Sequence, residues 1–129
     1  MKRSILAVLA ALLAWIFAVS LLNRGVRALI PGYAQAELTL HFSLGMMWAR
    51  LTIAAVTSLL AGAIAKALAP ASIYAPWILG AVLLAAFVPE HVSLWKAFPI
   101  WYHLTFLLTL VPLVALGARL VPPRPRSPR

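Results

Sequence analysis

The chain has 129 residues, of which 64% are hydrophobic and 10% charged, where an ordinary globular domain has about 25% charged. So little polar surface cannot cover a soluble core of this size, and the absence of cysteine excludes a disulfide framework, a thiolate metal site and a cysteine nucleophile. The net charge of +9 is scattered between apolar blocks or gathered at the C-terminus, with no basic, aromatic-interleaved polar surface for nucleic acid, so anionic lipid headgroups are the expected counter-charge.

A hydrocarbon core about 30 Å thick needs about 20 apolar residues in a helix, and four blocks meet that demand. The first is Ser4–Leu22, which carries no charge. It follows the basic pair Lys2 and Arg3 as a secretory signal would. Its apolar stretch is longer than a signal core, however, and the cleavage-like triplet Ala34-Gln35-Ala36 lies well beyond it, so the span is expected to be retained. Ala10, Ala14 and Ala18 make a small-residue stripe along it.

Residues 23–43 form the longest connection. In it "VRALI" reads as a short interfacial helix stopped by Pro31-Gly32, and "AELTLHF" alternates enough to be extended. The second block, Leu44–Leu68, contains Arg50 and ends with Lys66, and it repeats small residues at Ala54, Ser58 and Gly62. Such stripes let helix backbones approach closely in a membrane, where apolar side chains gain nothing by leaving lipid. They predict tight packing of the first two spans, against each other or against a partner.

A tight connection holding Pro70 leads into the third block, Ser72–Val88, which contains Pro76 and no charge. Residues 89–97 read as a loop. In the fourth block, Phe98–Leu120, Pro99 suits the first turn, where its missing N–H costs nothing. Pro112 falls mid-span and should kink the helix by freeing the carbonyl of Leu108, with Thr105 and Thr109 on the same face to compensate. Residues 121–129, "VPPRPRSPR", are expected to be an extended, disordered basic tail.

The predicted fold is an all-α membrane protein: a four-transmembrane-helix bundle with short loops, residues 1–120, and a Pro/Arg tail, residues 121–129. Lys2, Arg3, Lys66, Arg119, Arg124, Arg126 and Arg129 would meet lipid headgroups on one side, against Arg24, Arg27, Arg50 and Lys96 on the other. That excess places both termini in the cytoplasm. The Ala, Leu, Arg and Pro bias suggests a bacterial inner membrane. Trp95, Phe98, Trp101 and Tyr102 would then ring the outer headgroups, and Tyr74 and Trp77 the inner ones.

Arg50 is the most informative residue, because an arginine in a span costs at least about 2.5–3.5 kcal/mol at mid-bilayer and seeks a partner. The chain has only two acids, Glu37 and Glu90. Glu90 is the expected partner in an intramembrane ion pair, with snorkelling of Arg50 to the headgroups as the alternative. His41, Glu90, His91 and His103 form a candidate outer-face polar cluster, though their spacing matches no metal-ligand motif. No catalytic constellation and no cofactor motif is present in the sequence.

Residues 49–70, "ARLTIAAVTSLLAGAIAKALAP", resemble the first span of DoxX-type membrane proteins in having an arginine followed by glycine and lysine. No function is carried over from so short a likeness. Four spans in this length also invite comparison with small multidrug transporters. That family depends on a glutamate embedded in the first span, which has no counterpart here. The expected function is a non-catalytic accessory or structural subunit, packing against another membrane protein or itself. The alternatives are a small homo-oligomeric transporter or channel, and a periplasm-facing metal- or quinone-binding protein.

Overall fold

A computed structural model describes residues 2–123. The described residues fold into five helices and contain no strand. These are α1 (Lys2–Leu29), α2 (Tyr33–Thr39), α3 (Leu44–Leu68), α4 (Ala75–Ser93) and α5 (Ile100–Arg119). All but α2 are long and apolar enough to cross a membrane.

Local chemistry sets several of the boundaries. Gly32 turns the chain in the left-handed region, at φ 81°, before α2. Ser43 caps α3, its hydroxyl accepting from the Met46 N–H at 3.2 Å. Ser72 does the same for the Ala75 N–H at 3.1 Å, ahead of Pro76 in the first turn of α4. The α3 carbonyl end is tied by side chains. Arg3 Nε donates to the Leu68 carbonyl at 3.0 Å and Lys66 Nζ to the Pro70 carbonyl at 2.8 Å. Arg3 and Lys66 thus each make a contact within the protein, and Lys2, Arg3 and Arg119 are exposed. Arg124, Arg126 and Arg129 lie outside the described residues.

The helix α3 is the centre of the bundle, packing most extensively on α5 and next on α1, while α4 leans mainly on α5. Arg50 meets Tyr102, and Gly62 meets Val114 further along, so α3 and α5 run in the same direction. Their backbones touch. A Cβ on Gly62 would strike the Val114 carbonyl, and one on Gly117 the Leu59 carbonyl. Two buried zones result. One near the start of α1 is aliphatic and small, built on Ala7, Ala11, Ala61, Ala65, Leu79 and Val114. The other, at the opposite end, is aromatic, built on Leu51, Phe98 and Tyr102.

Several local expectations are corrected. The helix α1 continues through "VRAL" to Leu29, absorbing what was read as a separate interfacial helix, and stops at Pro31-Gly32 as expected. Residues 36–39 are helical rather than extended, because α2 buries Tyr33 and Ala36 on one face. The helix α4 runs through Pro89 to Ser93, so Glu90 and His91 stand on a helix, not in a loop. In α3, Ser58 and Gly62 are buried and Ala54 half-buried, but Gly62 faces α5. In α1, Ala7 and Ala11 are buried, while Ala10, Ala14 and Ala18 are only half-buried beside them. Pro112 lies inside α5, yet Thr109 donates to the carbonyls of Thr105 and Phe106 rather than to the freed Leu108 carbonyl.

Candidate functional site: an arginine in an aromatic cage

Arg50 lies six residues into α3 from Leu44, about 9 Å along the axis at 1.5 Å per residue. Its guanidinium does not pair with Glu90. Nε donates to the Tyr102 hydroxyl at 3.1 Å and Nη1 to the Tyr33 hydroxyl at 3.3 Å. Phe42 and Phe98 offer their faces at 4.8 and 5.5 Å from the guanidinium carbon to the ring centroids, within the roughly 6 Å reach of a cation–π contact. The rings are themselves ordered by stacking, Phe42 on Phe98 at 5.1 Å and Phe98 on Tyr102 at 4.3 Å. The charge is held half-buried by polarizable faces and two neutral hydroxyls.

Three parts of the chain build this cage. The turn at Gly32 swings α2 back so that Tyr33, fully buried, reaches the arginine. The segment between α2 and α3 brings Phe42, the segment before α5 brings Phe98, and the first turn of α5 brings Tyr102, the last two being 5% and 3% exposed. These last two are thus core residues and not part of a headgroup ring, whereas Trp95 and Trp101 remain partly exposed at that end. Tyr74 and Trp77 are exposed at the opposite end. Sequence reasoning missed Tyr33 and Phe42 as partners of Arg50. It also missed a readable sign: Tyr102 and Phe106 are four residues apart, as are Phe87 and His91, a spacing that places rings on one helix face.

Of the candidate polar cluster the structure joins only His91 and His103, both buried, with Nδ1 atoms 2.7 Å apart. His103 Nε2 lies 3.2 Å from the Trp95 carbonyl, which can only accept. Assigned from this pattern, His103 carries its proton on Nε2 and accepts at Nδ1 from His91 Nδ1–H. The free lone pair of His91 is then on Nε2. Trp95 stacks on His103 at 4.6 Å. Glu90 is exposed and lines a cavity of about 60 Å³ with Arg50, His91 and His103, without an ion pair to Arg50. His41 is exposed in the segment before α3. Among the described residues no three of His, Asp and Glu come together as a metal-holding group.

The one ion pair among the described residues joins Arg27 of α1 to Glu37 of α2, with N–O distances of 2.6 and 2.9 Å. The Arg27 hydrogen bond, with the charges of Arg27 and Arg50 adding to it, holds the Glu37 carboxyl below its ordinary pKa. The second acid of the chain thereby fastens α2 over the cage rather than neutralising Arg50.

Beside the cage a second cavity, of about 70 Å³, is walled by α1, α3, α4 and α5 and reaches Arg50, Tyr102, Trp15 and Asn23. The Trp15 indole N–H is buried and has no hydrogen-bond partner among the described residues. Comparison with known proteins adds no relative: no family model, no curated protein and no solved structure matches the chain.

Proposed function

We propose that the chain is a multi-pass protein of a bacterial inner membrane, with both termini cytoplasmic, that serves as a non-catalytic accessory subunit packing on a larger membrane assembly. The observation that carries this reading is the fate of the polar side chains within the four apolar helices. Thr52, Thr57, Ser58 and Thr109 each donate to a carbonyl one turn back in their own helix. With Arg50 and Thr105, these four are the candidates for lining a transport path. Spent in this way, and with α3 and α5 in backbone contact, they support a packed structural bundle rather than a conduit.

The least buried of the four apolar helices is α1. Ile5, Leu6, Leu9, Leu13, Ile16 and Phe17 are all more than half exposed, and this face is where a partner helix would lie. The test is a photo-crosslinking residue placed at Leu13 or Phe17, and at Leu108 of α5 as reference, in native membranes. A discrete protein adduct from α1 and none from Leu108 is the expected result. Crosslinks to lipid alone, together with solute flux through liposomes carrying the purified protein, would replace the subunit reading with the transporter one.

A further inference from the structure

We infer that the crevice beside Arg50 is a binding site for the oxyanion head of an anionic membrane lipid. The inference does not rest on the accessory-subunit reading. It rests on an imbalance of hydrogen-bonding groups. Arg50 has five N–H donors, of which two are engaged, by Tyr102 and Tyr33. Each tyrosine oxygen accepts from the arginine, so each hydroxyl proton is still to be donated, and neither finds an acceptor among the described residues. The buried Trp15 indole N–H is likewise unpartnered, and Trp15 is among the residues that line the same crevice as Arg50 and Tyr102. Glu37, which could have answered these donors, is bound by Arg27, and Glu90 makes no ion pair.

A half-buried cation ringed by unused donors, with no carboxylate on it, is complementary to an anion. The surrounding walls decide what kind. Ile53, Ala54, Phe87 and Phe106 make the rest of the crevice apolar. A cavity of about 70 Å³ admits a small head and leaves its tail to run out along the helices. The depth, about 9 Å from the start of α3 at 1.5 Å per residue, suits the level just below the headgroups. A phosphodiester on two acyl chains whose head carries no cation to compete with Arg50 satisfies all three conditions. A free phosphate satisfies only the first.

The test is native mass spectrometry of the delipidated full-length protein in detergent. Phosphatidylglycerol, phosphatidylcholine, oleate and inorganic phosphate are titrated separately. One phosphatidylglycerol should be retained per chain in preference to phosphatidylcholine, and inorganic phosphate should not displace it. Arg50→Gln should weaken retention roughly tenfold or more, the scale of a lost charge-assisted hydrogen bond. Arg24→Gln, which removes an exposed charge at the same end of α1, should leave retention unchanged. Trp15→Phe keeps an aromatic ring and the arginine and removes the unpartnered donor together with the indole's second ring. It should weaken retention about threefold to tenfold, and it reports on the site even if Arg50→Gln does not fold. Equal losses from Arg50→Gln and Arg24→Gln would overturn the site in favour of diffuse surface charge. So would an absence of preference between the two phospholipids, or wild-type retention by Trp15→Phe. Oleate binding as tightly as phosphatidylglycerol, or displacement by inorganic phosphate, would overturn the phospholipid assignment.

Discussion

Arg50 shows how a charge is stabilised in an apolar span without a counter-charge. Two hydroxyls and two ring faces share the guanidinium, each a weaker partner than a carboxylate and none itself a buried ion. Tyr33→Phe should therefore cost about 1 kcal/mol of stability, and Arg50→Lys more, because an ammonium cannot hold the fork that reaches both tyrosines. Thermal unfolding in detergent would read both. Glu37 gives a pH prediction. Its carboxyl titrates lower when folded than when free, so its pair with Arg27 contributes above the ordinary carboxylate range and is lost as pH falls through about 4 and below. Glu37→Gln should flatten that acid-side fall in melting temperature. The effect should be small, because the pair is solvent-exposed. From the sequence, Arg50 stood out because a lone charge in an apolar run is costly wherever it lies. Its partners did not stand out. Tyr33 reaches it only through the reversal at Gly32, a tertiary event, and the expectation that charge seeks charge pointed to Glu90 instead.

At the level of the helices, two glycines decide how α3 and α5 meet. Gly62→Ala and Gly117→Ala each place a Cβ against a facing carbonyl, and each should destabilise by about 1–3 kcal/mol or more, since backbone cannot yield as a side-chain end can. Gly45→Ala has open space around it and should be neutral or gain up to about 1 kcal/mol from helix propensity. The contrast between the substitutions, read as melting temperatures, separates packing from propensity. The apolar run marked the extent of α3, Leu44–Leu68, whereas the Ser43 cap that sets its start was not read from the sequence. The end of α4 was not legible, because residues 89–97 read as a loop, whereas the helix accommodates Pro89 and continues to Ser93. The small residues of α3 marked close approach on two sides, to α5 at Gly62 and to Ala7 and Ala11 of α1 at Ala61 and Ala65. A stripe of small residues says that something comes close, not which helix does.

Across the whole molecule, the four long apolar helices follow from composition and block length alone, and the structure places them where the hydropathy does. The asymmetry between the two ends was only half visible. The cations were countable, but the aromatic core at the far end was mistaken for a headgroup ring, because a ring's position in sequence does not reveal whether it turns inward. Central to the account is that these helices cross a bilayer four times, with the aromatic end and the basic end on opposite sides. The chain has no cysteine of its own, so each introduced thiol is the sole target of a label. Single cysteines at the exposed positions Gln35, Lys96, Ala71 and Pro123 can be probed in intact cells with a membrane-impermeant maleimide. The account predicts labelling of Gln35→Cys and Lys96→Cys from outside, and of Ala71→Cys and Pro123→Cys only after the membrane is opened. Labelling of all four positions alike in intact cells would contradict it.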